Sequence, residues 1–429
     1  MSSVLIFIIF VICLVIAIPV SISLGIVSVL PGAIDSSFTA SGTFVIRSML
    51  GGLDSFPLLA VPMFVLSGIL MARGGISRRL FDIFAYFMGK RTAGMPCAVI
   101  VTCLFYGAIS GSGPATVAAV GSMTIPILLE MGYEKNFTTA LVAVAGGLGV
   151  IIPPSIPFIM YGSASGASVS DLFIAGIIPG LLIGALLMIY SIYYCKKHGE
   201  DQEKKMLVVG RLHEKGFLRV LKDGSFALLS PVIILGCIYT GIASPTEAAV
   251  ISVFYALFIS IFIYKTIKLT DMWAILVESI RTYTPILFIL ASAIAFSRVL
   301  TLMQVPQAIS NWILSHFTSP IILLLVINIF LLLVGMFMDT TPAILILTPI
   351  LLPIVESIGM NPIHFGVMMV VNLAIGFVSP PIGVNLFVAS SLTEVPLMQI
   401  AKHALPMILY FLVALLIITF VPAVSLLLL

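Results

Sequence analysis

Long apolar runs separated by short polar loops fill most of the chain, and many of them have the length of a transmembrane helix. A helix needs about 20 predominantly apolar residues to cross a bilayer. This pattern predicts an all-α polytopic membrane protein. The uninterrupted runs of spanning length are 4–30, 47–72, 172–195, 225–243, 247–264, 283–303 and 403–428.

Four further apolar segments are interrupted by residues that break helices. Segments 138–163 and 364–392 contain Pro pairs, which remove backbone donors, and we expect each to cross the membrane as a broken helix. Segments 94–130 and 320–355 carry polar, Gly and Pro residues near the middle, which favours re-entrant hairpins. The pattern therefore predicts nine crossings and two hairpins. If each hairpin were instead two full crossings, every loop would keep the side of the membrane that is assigned to it here.

Composition and charge agree with this interpretation. Of 429 residues, 61% are hydrophobic and only 9% are charged, against about 25% charged residues in soluble domains. A soluble enzyme, a nucleic-acid binder and a disordered scaffold are therefore excluded. In the predicted topology 18 of the 20 basic residues lie on one side, with Arg47 and Arg298 as the exceptions. The positive-inside rule makes that side cytoplasmic, with the N-terminus inside and the C-terminus outside.

Polar stretches between the spans are few. Segment 196–222 has twelve charges in 27 residues, and we expect a solvated connector in preference to a regulatory element. The loop 73–91 is basic and is predicted to be cytoplasmic. Glu278 and Arg281 lie near the end of a predicted span, where an interfacial ion pair is expected.

An internal repeat relates the two halves of the chain. Pro114-Ala115 matches Pro342-Ala343 at an offset of 228, and after a one-residue slip Pro153-Pro154 matches Pro380-Pro381. Because Pro and Gly fix backbone shape, such a repeat preserves architecture. One extra crossing between the repeats inverts the second, so hairpin 94–130 enters from the cytoplasm and its counterpart from outside. The predicted units are residues 1–195, the linker and connecting crossing 196–243, and 244–429.

Inverted repeats with broken helices are typical of transporters, whose binding site lies at the repeat interface near the membrane midplane. Carbonyls freed at the breaks, with hydroxyls and the Asp339 carboxylate at the tips, would form an oxygen-rich cage suited to a hard cation. Half-helix N-termini favour an anionic substrate group. The alternative is that the breaks are packing kinks and that the polar residues only cap helices.

Three motifs of soluble and membrane enzymes are absent from the sequence. It contains no G-x-x-x-x-G-K-[ST], no H-E-x-x-H and no G-x-S-x-G. We therefore expect that the chain is not an enzyme, that it does not hydrolyse ATP by itself, and that transport draws on an ion gradient.

These residues resemble the large membrane subunit of tripartite ATP-independent periplasmic (TRAP) transporters of the DctM/SiaM type, over nearly the whole chain. Each motif alone is weak, but their order and spacing together are specific. The motifs are Gly52-Leu53-Asp54-Ser55-Phe56-Pro57-Leu58-Leu59-Ala60, Ala108-Ile109-Ser110-Gly111-Ser112-Gly113, Ile152-Pro153-Pro154-Ser155-Ile156-Pro157, Asp339-Thr340-Thr341-Pro342-Ala343 and Ser379-Pro380-Pro381-Ile382-Gly383.

The resemblance implies an elevator-type secondary transporter of the bacterial inner membrane, in which a transport domain of both hairpins and both broken helices slides against a fixed scaffold. It implies coupling to Na⁺, a separate small membrane subunit (Q), and a periplasmic binding protein (P). The implied substrates are organic acids such as C4-dicarboxylates and sialic acids.

The resemblance also implies two sodium sites. The first would involve Ser110, Ser112, Gly113 and the break at Pro154 and Ser155. The second would involve Asp339, Thr340, Thr341 and the break from Pro381 to Asn385. A stand-alone ion-coupled anion carrier or Na⁺/H⁺ antiporter, a membrane-embedded enzyme and a passive channel remain as alternatives.

Overall fold

The computed structural model describes residues 3–16, 18–35, 38–316 and 319–429, and every regular element in these ranges is helical. The helices of the first half are α1 (Ser3–Val15), α2 (Val20–Ile34), α3 (Gly42–Leu53), α4 (Ala60–Arg73), α5 (Ile76–Met88), α6 (Gly94–Ser110), α7 (Gly113–Glu130), α8 (Lys135–Gly146), α9 (Ile156–Ser165) and α10 (Val169–His198).

The second half begins with the polar linker and continues in the same all-helical style. Its helices are α11 (Gln202–Glu214), α12 (Phe217–Tyr239), α13 (Pro245–Phe258), α14 (Met272–Leu302), α15 (Val305–His316), α16 (Pro320–Phe337), α17 (Thr340–Ser357), α18 (Pro362–Gly376), α19 (Val384–Thr393), α20 (Leu397–Phe420) and α21 (Ala423–Leu426). The fold class predicted from the apolar pattern is thus confirmed.

Within the described ranges, nine helical segments are long and apolar enough to cross a membrane. The number equals the predicted count of crossings, but the set differs. It includes three hairpin arms and leaves out 4–30 and both broken helices, because an interruption divides each of these into shorter helices. The nine segments are Phe56–Arg73, Gly113–Glu130, Val169–His198, Phe217–Tyr239, Pro245–Ile263, Leu269–Leu302, Pro320–Phe337, Thr340–Ser357 and Leu397–Phe420.

Two of the predicted continuous spans are wrong in detail. The run 4–30 forms α1 and α2, with Pro19 as the residue before α2 and Ala17 outside the described residues. The run 47–72 is divided after Leu53, and a 3₁₀ turn at Phe56–Leu59 leads into α4. Pro19 and Pro57 each lack the backbone N–H that a continuous helix would need, so both breaks have a local cause.

The polar stretches 73–91 and 196–222 contain helices that a reading by hydropathy alone overlooks. In α5 the apolar side chains of Ile76, Leu80 and Phe81 are buried, so this helix is amphipathic. Helix α5 packs against α6 and α12, and α11 packs against α5 and α7. Both helices therefore lie on the body of the protein.

The prediction that the linker is a solvated connector holds for most of its residues, which are exposed, but one pair of its charged side chains is buried. Lys205 and Glu200 form an ion pair of 2.9 Å between side chains that are only 1% and 2% exposed. Glu200 also accepts hydrogen bonds from the backbone N–H of Ala93 (3.0 Å) and from the Tyr133 hydroxyl, and Lys205 donates to the carbonyl of Arg91 (3.1 Å). Burial, and then the hydrogen bond to Glu200, raise the pKa of Tyr133.

These bonds attach the linker to the hairpin formed by α6 and α7. Ala93 precedes the first arm and Tyr133 follows the second, so the linker holds both ends of the hairpin together. Further out, Arg211 pairs with Glu130 at 2.9 Å and Lys215 with Asp82 at 3.4 Å.

We call α6–α7 with α8–α9 the first unit, and α16–α17 with α18–α19 the second unit. In the first unit the two hairpin arms pack along each other and against α8. In the second, α16 packs mainly against α18, while α17 packs mainly against α9, α14 and α15. The division of the chain at residues 195 and 243 stays a prediction.

Candidate functional site

The tips of the two hairpins meet at one small cavity of about 60 Å³, which we call the tip cavity. The first tip contributes Gly111, Ser112 and Pro114. The second contributes three consecutive residues, Asp339 to Thr341, and Ile286 of α14 closes one side. Residues more than 200 positions apart in the chain thus line the same space, as expected for a site at the interface of two repeats.

Hydroxyl and carbonyl oxygens converge at the first tip. The Ser110 hydroxyl lies 3.0 Å from that of Thr116 and 3.3 Å from the carbonyl of Ser112. Thr116 donates to the same carbonyl at 2.8 Å. Gly111 ends α6 with φ of +61°, a left-handed conformation that glycine adopts without steric cost. The result is a tight reversal that brings three oxygens together.

The first break packs directly behind this tip. The backbone N–H of Ile156 donates to the carbonyl of Gly111 at 3.3 Å, and a Cβ on Gly111 would lie 2.9 Å from the carbonyl oxygen of Pro154. Ser155 caps α9 by accepting from the N–H of Phe158 at 3.3 Å, and it donates to the carbonyl of Val150 at 2.5 Å. The Ser155 hydroxyl therefore has both a donor and an acceptor partner already.

The second tip differs in its exposure. Asp339 precedes the first turn of α17 and is exposed, whereas Thr340 and Thr341 behind it are buried. The Thr340 hydroxyl donates to the Asp339 carboxylate at 3.2 Å. This places a carboxylate where it lines the tip cavity and leaves part of it free for another ligand.

The second break is tied to its own hairpin, since the backbone N–H of Ile382 donates to the carbonyl of Met336 at 3.3 Å. The peptide bond Pro380–Pro381 is cis, as is Pro153–Pro154 at the equivalent position of the first break. Pro381 is exposed and lies outside the set that lines the tip cavity. Phe377 of this break does line it.

The side chain of Asn385 contacts the first unit and not the second tip. The resemblance assigns it to the second site, but its Nδ2 donates to the carbonyl of Ala143 in the first unit at 3.1 Å. A Cβ on Gly113 would lie 3.3 Å from its Oδ1. This oxygen is fully buried and has no hydrogen-bond partner among the described residues. The structure thus groups Asn385 with Gly113 of the first site.

A larger cavity of about 390 Å³ adjoins the first tip, and we call it the shaft. Ser110 and Ser112 lie at one end of it. Arg73 of α4 and Glu278 of α14 also line it and form an ion pair with each other. The expected pairing of Glu278 with Arg281 is therefore wrong, because tertiary packing brings α4 next to α14.

Sequence reasoning missed Thr116 and Arg73. Thr116 lies three residues beyond the quoted tip motif and four residues after Ser112, so helical periodicity offered a signal. Arg73 and Glu278 are separated by 205 positions, and no local pattern connects them.

The sequence of this chain matches a known protein family over nearly its whole length. Residues 7–424 match the model described as the DctM component of the tripartite ATP-independent periplasmic transporter. The chain belongs to the DctM family. The resemblance drawn from the tips and Pro pairs is therefore confirmed, and the protein is a TRAP transporter large permease, a multi-pass membrane protein.

Individual members of the family are similar to this chain over most of its length. The C4-dicarboxylate TRAP transporter large permease protein DctM of Pseudomonas aeruginosa is 43% identical, covering 87% of this chain and 86% of that protein. The isethionate TRAP transporter permease protein DctMQ of Oleidesulfovibrio alaskensis is 44% identical and covers 97% of this chain, which spans 64% of that longer protein. Both are named as permeases and not as enzymes.

A solved structure agrees in fold. The YdaH transporter of Alcanivorax borkumensis superposes with a TM-score of 0.63 at 14% identity, covering 93% of this chain and 96% of the other. At that identity the likeness shows the DctM-family chain to have a known transporter fold and nothing more specific.

Proposed function

We propose that this large permease performs Na⁺-coupled uptake of a small organic acid by an elevator mechanism. The observation that supports this most directly is the tip cavity, where Ser112 of one hairpin and Asp339 of the other line the same space. Two oppositely oriented hairpins that share one site are what a carrier needs in order to expose that site to either side of the membrane.

Sodium is the co-transported cation in this proposal. Na⁺ is a hard cation and takes oxygen ligands, as do other hard cations in proteins. The three oxygens of Ser110, Ser112 and Thr116 lie within 3.3 Å of one another. The buried Oδ1 of Asn385 is an acceptor in need of a partner, since buried polar atoms are nearly always satisfied. Hydroxyl, carbonyl and amide oxygens thus form the first site, and Asp339, Thr340 and Thr341 with Phe377 line the second.

The substrate is a small organic anion. The two relatives are named for isethionate, a sulfonate, and for C4-dicarboxylates, and both substrates carry negative charge at one end or more. The N-terminal ends of α7 and α17 lie at the tip cavity, where their dipoles and free N–H groups favour an anion. Sialic acids carry a carboxylate too and belong to the same class.

The moving body is the two units together. Hydrogen bonds join hairpin to break in the first unit through Ile156 and in the second through Ile382, and Asn385 joins the second to the first. The remaining long helices would form the scaffold, with α14 contributing Ile286 to the site. In the inner membrane, the N-terminus would face the cytoplasm and the C-terminus the periplasm.

Two partners complete the proposed transporter, a small membrane Q subunit and a periplasmic P subunit that binds the substrate. The fused relative carries both permease parts in its name, DctMQ, and this chain matches 64% of its length.

Reconstitution into proteoliposomes tests the proposal. We expect labelled succinate or isethionate to accumulate only when Q, the binding protein and an inward Na⁺ gradient are all supplied. Uptake by the large permease alone would indicate a stand-alone carrier or an antiporter. Flux without any dependence on Na⁺ would contradict the coupling.

A further inference from the structure

The shaft connects the hairpin tip to a charged pair at its far end. Along α14 its wall is formed by Glu278, Thr282 and Ile286, which are four residues apart and so share one helix face. Eight residues of α-helix rise about 12 Å, so Glu278 lies roughly that far from the level of Ile286. Ile286 also lines the tip cavity. The shaft therefore runs from the tip cavity to the Arg73–Glu278 pair.

The walls of the shaft come from both the scaffold and the proposed moving body. Helices α4 and α14 of the scaffold form one side, and α6 with α7 of the first hairpin form the other. Helix α7 contributes only alanines, namely Ala115, Ala118 and Ala119, which leave room for a solute. The volume of about 390 Å³ falls within the range of sites that bind small molecules.

The direction of the shaft follows from the predicted topology. Arg73 is the last residue of α4 and begins the basic stretch 73–91, which the positive-inside rule makes cytoplasmic. The end of the shaft at Arg73 therefore faces the cytoplasm, while Ser110 and Ser112 mark its inner end.

One residue of each charge lies at the cytoplasmic end of the shaft. Among the described residues that line the shaft, Arg73 is the only cation and Glu278 the only anion. Both side chains are 45% exposed, and an ion pair this open to solvent is held weakly. A guanidinium binds carboxylates and comparable oxyanions through the same planar pair of N–H donors. An incoming organic anion can therefore take the place of Glu278.

We propose that Arg73 is a second anion-binding position, through which the substrate leaves toward the cytoplasm, and that Glu278 competes with the substrate for it. This inference rests on the proposed function. Arg73 pairs with Glu278, which lies about 12 Å along α14 from Ile286 at the tip cavity. The substrate therefore occupies the two positions in turn. When Glu278 pairs with Arg73 again, it displaces the bound anion, and the position can then accept the next one.

The affinity of Arg73 for the anion is measured as inhibition of uptake by substrate that is preloaded inside proteoliposomes. The complete complex is used, with the binding protein outside only, so that correctly oriented molecules alone are counted. Succinate and isethionate are the probes, with sulfate as an inorganic control. We expect Arg73→Gln to raise the internal concentration for half-inhibition by about fivefold, and Glu278→Gln to lower it by a similar factor. Arg78→Gln, on a nearby exposed arginine paired with Asp82, is the control and should change nothing.

Opposite shifts distinguish a binding role from a structural one, because loss of a merely structural pair would move both variants in the same direction. Equal shifts in the two variants, or no shift in either, would overturn the proposal, whichever of the three anions is used. If Arg73→Gln fails to fold, the tighter inhibition of Glu278→Gln still decides, since misfolding cannot produce a gain. Absence of Na⁺-dependent uptake by the unmodified complex would instead refute the proposed function.

Discussion

The two units share a backbone plan but differ in how tightly they are closed. Every residue from Ile151 to Pro157 in the first break is buried, whereas Pro381 and Ile382 in the second are exposed. At the first tip the hydroxyls of Ser110 and Thr116 bond to each other, and the second tip presents the exposed carboxylate of Asp339. A repeat that preserves Pro and Gly positions thus leaves side chains free to specialise. We infer that the first unit holds its ligand in a preformed cage and that the second completes its site when a ligand arrives.

The largest effect is expected at the exposed tip. Asp339→Ala should abolish Na⁺-driven uptake and leave the protein folded, because the carboxylate contributes to the tip cavity and not to the core. Initial uptake rates in proteoliposomes provide the measurement. Asp223→Ala removes an exposed carboxylate from α12, far along the chain from either tip, and should keep normal uptake. Normal uptake by Asp339→Ala would show that the Asp339 carboxylate is not part of a sodium site.

The stability of the first unit should depend on its attachment to the linker. Lys205→Met leaves the buried Glu200 without its ion-pair partner, which costs about 3–5 kcal/mol of folding stability. The neighbouring exposed Lys204, paired with Asp201 at 3.1 Å, offers a matched control, and Lys204→Met should cost about 1 kcal/mol or less. Denaturant titration in detergent measures both. Equal losses would show that the buried pair does not anchor the first hairpin.

Close packing behind the first tip predicts a further loss. A Cβ on Gly107 would lie 2.7 Å from the Cα of Gly149, so Gly107→Ala should cost about 1–3 kcal/mol. Gly236, in the last turn of α12, has no atom within 4 Å of an added Cβ. There Gly→Ala should instead stabilise the helix, by up to about 1 kcal/mol. Thermal unfolding of the two variants should show shifts of opposite sign, and a neutral Gly107→Ala would mean that the first unit is looser than described.

The smallest effect concerns the oxygens of the first tip. Thr116→Val removes a hydroxyl that lies 3.0 Å from Ser110 and should raise the Na⁺ concentration for half-maximal uptake by about three- to tenfold. Thr124, in the same helix, makes the same kind of bond to a carbonyl four residues earlier, at 2.8 Å. If Thr124→Val changes the Na⁺ dependence as much as Thr116→Val does, the hydroxyl of Thr116 is not a ligand.

Local features of the sequence predicted the parts of the fold that backbone chemistry decides. Pro pairs and the Gly-rich tip mark the breaks and the first reversal, because Pro removes a donor and Gly permits positive φ wherever they stand. Helices α5 and α11 were missed, since charged residues interrupt their apolar positions and keep them from standing out by hydropathy. They are visible only as amphipathic faces that another helix covers.

Contacts between distant residues could not be predicted in the same way. Asn385 follows the second Pro pair along the chain, yet its amide reaches Ala143, 242 positions away. Arg73 and Glu278 similarly meet because α4 packs beside α14. Each of these pairings depends on how helices are arranged in space, which neither periodicity nor motif spacing specifies.

Sodium entry measured together with substrate entry is the sharpest test of Na⁺-coupled transport by this protein. Proteoliposomes holding the large permease and Q would be given labelled Na⁺, labelled organic acid and the binding protein, and both fluxes would be recorded over time. We predict that Na⁺ enters in a fixed ratio to the organic acid and that neither moves when the other is withheld. Substrate accumulation without Na⁺ entry, or Na⁺ entry without substrate, would contradict the account.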